Sequence, residues 1–256
     1  MTEIPKNHPR YESLMTRERI VEGVNIGITS PQGLIAQGRG EAFDYLIGEH
    51  TTRSAADSER VAVAHLLLAQ RPVISVNGNT AALVPDQLVA LSDVTGAPLE
   101  INLFHRSEAR VHKIIEHLKS NGAKDVLGKK GEALLELEHE RAIVDNEGIY
   151  KADVILVPLE DGDRCEALVE MGKTVITIDL NPMSRTSMTA TVTIVDNINR
   201  AIANMVQFAK DMKQVEREEL QKIADSYDNN KALSSALYEI SERLKNLSIE
   251  RGIEWI

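Results

Sequence analysis

The 256 residues predict an α/β protein: a doubly wound parallel sheet with right-handed crossovers and helical segments at both ends. Two observations carry this. Short β-branched runs alternate with helical patterns from about Val73 to Met212. Three of those runs, at residues 72–84 (PVISVNGNTAALV), 153–163 (DVILVPLEDGD) and 174–185 (TVITIDLNPMSR), end abruptly in polar groups. Parallel strands lying side by side would bring those polar ends to one crevice.

Residues 11–26 space Leu14, Ile20, Val21 and Val24 as a helix, punctuated by Pro9 and Gly27. Arg17 and Arg19 sit in its middle and read as readily as a solvated face as a ligand contact. Residues 27–48 are dense in glycine, with Arg39 between Gly38 and Gly40. They match neither a phosphate-binding loop nor a dinucleotide fingerprint and read as a loop between helices. Residues 51–70 form an alanine- and leucine-rich helix that packs beside the strand at Val73–Val76. Pro72 and Gly78 bound that strand, and Asn77-Gly78-Asn79-Thr80 leads into a helical segment, residues 81–92, with a break near Pro85. Residues 99–104 form a strand ending in His105-Arg106, followed by a helix over 109–120 with Asn121-Gly122 at its end. A short strand at 125–127 precedes an irregular polar segment, 132–149, with a helical part near 133–139. A helix over 167–171 separates the strands at 153 and 174. Residues 191–195 give a last strand before the helix over 198–212. From Gln214 the composition shifts, and two helices are expected, broken near Asp228-Asn229-Asn230.

The net charge of -10 argues against nonspecific nucleic-acid binding. The first ten residues have no apolar core and do not read as a signal peptide, and no apolar run reaches bilayer length. Cys165 is the single cysteine, so no intrachain disulfide forms, and a reducing, cytoplasmic location is expected. Cys165 follows Arg164 at a helix start, which could lower its thiol pKa; without a partnered histidine it reads as structural.

Acids (Glu160, Asp161, Asp163, Asp179, Asp196), amides (Asn77, Asn79, Asn102, Asn181, Asn197) and cations (Arg106, Arg164, Arg185) gather at the predicted strand ends. Asp179 has the position of an acid that takes a ribose hydroxyl pair. The arginines suit phosphate oxygens. Glu160, Asp161 and Asp163 fit two roles, Mg²⁺ ligation or capping of the next helix. His105 is the best placed proton acceptor. Zinc-type clusters are absent. The residues alone therefore imply a nucleotide site and a phosphorylated anion, without a reaction.

His8-Pro9-Arg10-Tyr11 and the segments GITSPQGL (27–34), GRGEAFDY (38–45), NLFHR (102–106), ADVILVPLEDGDRCEAL (152–168) and MGKTVITIDLNPMSR (171–185), with residues 73–83, resemble the archaeal phosphopantothenate synthetase family. That family is also called 4-phosphopantoate–β-alanine ligase. The resemblance runs to about Met212, and it implies a Rossmann-like domain over residues 1–212 with a helical extension over 213–256. It implies a homodimeric, ATP-dependent ligase that joins 4-phosphopantoate to β-alanine and releases AMP and diphosphate in coenzyme A biosynthesis. ATP contacts are implied at Arg17, Arg39, Asp179, Leu180, Asn181, Arg185, Thr186, Asn197 and Ile198. The phosphopantoate end is assigned to Ser75, Asn77, Asn79 and Arg106. An acyl-adenylate route is expected, with Arg39 and Arg185 offsetting phosphate charge, Mg²⁺ bridging phosphate oxygens, and His105, an acid or water taking the amine proton. The rival readings are another nucleotide-binding enzyme, such as an NAD-linked oxidoreductase, and a non-catalytic nucleotide sensor.

Overall fold

The computed structural model describes residues 4–129, 131, 133–135 and 140–251. Among these, eight strands form: β1 (Pro72–Val76), β2 (Leu99–Ile101), β3 (Val126–Leu127), β4 (Ala133–Leu134), β5 (Ile143–Val144), β6 (Val154–Leu156), β7 (Thr174–Ile178) and β8 (Val192–Ile194). The helices are α1 (Tyr11–Asn25), α2 (Pro31–Ile47), α3 (Arg53–Leu68), α4 (Gly78–Leu83), α5 (Pro85–Thr95), α6 (Glu108–Ser120), α7 (Gly162–Glu170), α8 (Arg185–Thr189), α9 (Ile198–Met212), α10 (Arg217–Asp225) and α11 (Asn229–Glu250). Six strands make one parallel sheet in the order β3-β2-β1-β6-β7-β8. Strand order reverses between β1 and β6, the place where open α/β sheets bind ligands at the carboxyl ends of their strands.

The two-residue period sorts the core onto both faces of the sheet. Ile74, Val76, Leu156, Ile176 and Ile178 face the larger core, which α3, α5, α6 and α9 cover. Val73, Ile155, Val157 and Val175 face a smaller core shared with Cys165 and Leu168 of α7. Burial on both faces explains why these strands read as continuous apolar runs. The two C-terminal helices are packed into the body. Leu220 and Ala224 of α10 join the larger core, while Leu233 and Ala236 of α11 pack with Ile47, Leu180 and Val195. No helix among the described residues is long and apolar enough to cross a membrane.

Two expectations are corrected. The glycine-rich stretch read as a loop is mostly the 17-residue α2, with Pro31 in its first turn and Gly48 in the left-handed conformation behind its end. Gly33 permits close approach to Thr29 and to Asn79 of α4, and Gly40 packs on Leu180; this tertiary contact outweighs the poor helix propensity of glycine. Ala133 and Leu134, expected to begin a helical part, pair antiparallel with Ile143 and Val144 instead. Residues 136–139 of that expected helix lie outside the described residues.

A buried polar network ties α2, α3 and α9 together. Arg200 bridges Asp44 and Asp196, Thr51 donates to Asp196 at 2.6 Å, and Asn204 donates to Glu59 at 3.0 Å. Burial and then the neighbouring Asp196 charge hold the fully buried Glu59 carboxyl well above its usual range. The native state thus keeps a proton that the unfolded chain releases. This group's stabilisation is present below the ordinary carboxyl range and is lost as pH rises through the raised native one. Glu59→Gln should remove that loss. Its melting temperature relative to the native chain should rise from about pH 6 to about pH 9. Parallel melting curves across that interval would exclude a protonated Glu59.

Candidate active site

A cavity of about 640 Å³ opens at the carboxyl ends of the strands. It sits where the strand order reverses. The tips of β1 and β6 are tied there by one side chain. Asn77 Nδ2 donates to the carbonyls of Pro158 at 2.9 Å and Leu159 at 3.2 Å, while Asn77 Oδ1 caps α4 through Thr80 N at 3.0 Å. Thr80 returns the bond to Asn77 N, closing a capping box. Leu159 is held at φ 53, a backbone conformation costing about 1–3 kcal/mol that persists only where its surroundings impose it. The Asn77 bond and Leu159 N donating to Ile178 O at 3.1 Å impose it here.

Helix α2 forms one wall. Asn79 Nδ2 donates to Gly33 O at 3.0 Å, and Thr29 Oγ1 donates to Asn79 Oδ1. A β-carbon on Gly33 would collide with Asn79 Oδ1 and lie 2.6 Å from Thr29 Oγ1. The contact needs glycine.

On the β7 and β8 side, Asp179 accepts from Asn181 N at 2.9 Å and from the Ser184 hydroxyl, and Ser184 in turn caps α8. Burial pushes the Asp179 carboxyl up; the hydrogen bonds from Ser184 and Asn181 and the charge of Arg39 oppose this. Asn197 caps α9 and donates to Asp44 at 2.8 Å, so the Asp44–Arg200–Asp196 network fixes its angle.

Near the β6 end, Glu160 is gripped by Arg164 and Arg141, and Arg141 also lies 3.1 Å from Asp161. Arg164 has no solvent exposure. Buried guanidiniums persist only when paired, and this pairing sets the orientation of Glu160. Arg141 itself rides on the insertion between β3 and β6. Glu100, buried in the middle of β2, anchors that insertion by accepting from Asp145 N at 2.8 Å and Ile149 N at 2.6 Å. Burial raises the Glu100 carboxyl to about 7 despite those bonds and Arg164.

Of the residues singled out in the sequence, Arg39, Asn77, Asn79, His105, Glu160, Asp161, Asp179, Leu180, Asn181, Thr186, Asn197 and Ile198 line this cavity. Five lie elsewhere. Ser75 shares the strand face of Val73, beneath the sheet, and accepts from Arg164 at 3.3 Å. Arg106 donates to Gly128 O at 2.5 Å. Arg17 pairs with Glu41 at 2.8 Å on the outer side of α1. Arg185 pairs with Asp163 at 2.5 Å and Glu166 at 2.6 Å. Glu160, Asp161 and Asp163 therefore do not converge, and among the described residues no group of three or more acid, histidine or cysteine side chains could hold a metal ion. The second role weighed for this run is seen directly: Asp161 caps α7 through Arg164 N at 2.9 Å. Cys165 is buried, and desolvation pushes its thiol up to about 12, outweighing the lowering by Arg164. Arg110 and Arg141 also line the cavity and were not singled out. Arg110 belongs to the first turn of a helix behind a strand end, a weak signal; Arg141 lies in a segment without periodicity.

Gly33→Ala should destabilise the chain by about 1–3 kcal/mol, the usual cost of overpacking. Chemical denaturation checks this, and unchanged stability would mean that α2 is not clamped to the Asn79 loop.

Residues 54–243 match the phosphopantothenate/pantothenate synthetase family. The chain is 64% identical over 252 residues to a 4-phosphopantoate–β-alanine ligase of Methanosarcina mazei, covering 98% of this chain and 100% of the relative. Ligases of the same name from Thermococcus kodakarensis and Methanospirillum hungatei are 56% and 47% identical, covering 99% and 95% of this chain and 97% and 99% of the relatives. With a cavity at the strand-order reversal, and similarity running nearly end to end, the chain belongs to the phosphopantothenate/pantothenate synthetase family.

Proposed function

We propose that this protein joins 4-phosphopantoate to β-alanine with ATP, giving 4'-phosphopantothenate, AMP and diphosphate. One observation carries the assignment of roles: a single cavity collects two chemically different halves on either side of the β1/β6 junction. The β7 and β8 half presents Asp179, Asn181, Thr186 and Asn197, suited to a nucleoside. Arg39 lines the same cavity as Asp179, close enough for its charge to favour the Asp179 carboxylate, and is suited to the phosphates. The β1 and β2 half presents Asn79 and His105 and takes the acyl substrate.

In this reading the acyl carboxylate attacks the α-phosphorus of ATP. The α–β bridge bond breaks, and diphosphate leaves as an acyl-adenylate forms. The amine of β-alanine then attacks the acyl carbon, AMP departs, and the amine proton passes to His105 or to water. Arg39 offsets the charge that grows on the phosphates. Holding two anions and an amine in register supplies much of the rate. The acids near β6 are committed to arginines, so they make no resident Mg²⁺ site; the ion enters as the counter-ion of the nucleotide. A homodimer belongs to the same proposal. Exposed Val21, Ile35, Tyr45 and Leu46 on α1 and α2 support it, and Arg17 of α1 would act at that contact. No nucleic acid or membrane partner is part of it, and a cytoplasmic location accords with the one buried, unpaired cysteine.

The test is AMP release. It should require both 4-phosphopantoate and β-alanine, and ATP labelled at the α–β bridge should scramble with 4-phosphopantoate alone. An active ligase without scrambling would exclude the free adenylate. Arg39→Gln should lower kcat by about 100-fold, the usual loss for one donor to a developing anion. An unchanged kcat would remove Arg39 from the transition state.

A further inference from the structure

We infer that Arg110, seconded by Arg141, receives the phosphate of the acyl substrate and so selects the phosphorylated acid over the unphosphorylated one. This rests on the ligase reading above.

The guanidinium of Arg110 is aimed by backbone. Its Nε donates to Ile28 O at 2.8 Å and its Nη1 to His105 O at 2.9 Å. Its Nη2 lies over Gly78, where a β-carbon would collide with it and stand 2.6 Å from Ile28 O. That nitrogen donates to no acceptor among the described residues. Glycine at position 78 is therefore what lets the fork lie in the cavity wall.

The charge balance points the same way. Arg141 is matched by Glu160 and Asp161. Arg110 has no carboxylate within ion-pair reach among the described residues, and burial alone depresses its pKa. It is close enough to Arg141 to lower that group's pKa as well. A half-buried guanidinium beside a second one, with no acid of its own, is completed by an anionic ligand. A phosphate, with several acceptor oxygens, can take Nη2 while sharing the charge of Arg141.

Position decides which phosphate. Arg110 starts from the segment behind β2, and Asp179 follows β7. Three strand spacings separate β2 from β7 in the sheet order, about 14 Å at ~4.8 Å each. That interval suits a substrate lying across the β1/β6 junction, with its phosphate at Arg110 and its carboxylate toward the nucleotide. The triphosphate would meet Arg39 instead.

The experiment measures dissociation constants of 4-phosphopantoate, pantoate and ATP for the full-length protein and for Arg110→Gln and Arg110→Lys, with melting temperatures. Arg110→Gln should weaken 4-phosphopantoate by about 10- to 100-fold, the span for losing charge-assisted hydrogen bonds, and bring it near pantoate. Arg110→Lys should fall between, since it keeps the charge and loses the fork. ATP affinity should hold. Equal weakening of 4-phosphopantoate and pantoate, or a parallel loss of ATP affinity, would overturn the inference. Should Arg110→Gln fail to fold, Arg110→Lys carries the same comparison. Failure of the native protein to bind and turn over 4-phosphopantoate would instead defeat the ligase reading, which separates the two.

Discussion

The amide of Asn77 holds the centre of the molecule. At the β1/β6 junction the sheet has no short connection to close the gap, because the crossovers leave in opposite directions. Asn77 closes it with three hydrogen bonds: two donated to the β6 tip and one accepted from the helix that follows β1. The resulting stitch fixes Leu159 in its unfavourable conformation and starts the turn that delivers Glu160 and Asp161. Asn77 lines the cavity, yet its polar atoms are spent on the fold. Its role is to set the spacing between the two halves of the site.

Each half has its own buried support. Beneath the β2 side, Glu100 spends one carboxylate on two backbone amides of the insertion, so Arg141 arrives at the cavity from a segment with little regular structure. Arg164 sits below Glu160 with no exposure and no alternative to pairing. Behind the β8 side, Arg200 joins Asp44 of α2 to Asp196, and Asp44 in turn receives the amide of Asn197. Both supports place charge where water is excluded, so loss of one partner strands the other. Cavity geometry is therefore coupled to the interior polar groups as much as to the apolar core.

The C-terminal helices are tied into the same framework. Glu239 of α11 accepts from Ser54 N at 3.2 Å and from the Ser54 hydroxyl at 2.5 Å at the start of α3, and Asn229 spans Thr193 N and Ser187 O. These contacts brace α8 and β8, on the Asp179 side of the cavity. The tail therefore reaches the site through packing.

Local pattern determined the strands and helices of the sheet, because hydrophobic period and glycine or proline punctuation are short-range signals. The helix over residues 198–212 was legible to the residue, and the break expected near Asp228-Asn229-Asn230 lies just ahead of that point, between Asp225 and Asn229. So was the gathering of Asp179, Asn181 and Asn197, since strand ends in a parallel sheet converge by topology. The helical state of residues 31–47 was not legible, because its glycines oppose a helix until Asn79 and Leu180 pack against them. Nor were the inward placements of Arg110 and Arg141, or the outward ones of Arg17, Arg106 and Arg185. An arginine has one sequence signature whether it covers a surface acid or walls a cavity. Only the positions of Ile28 O, Glu160, Glu41 and Glu166 in three dimensions decide between them, and those partners lie 19 to 82 residues away along the chain.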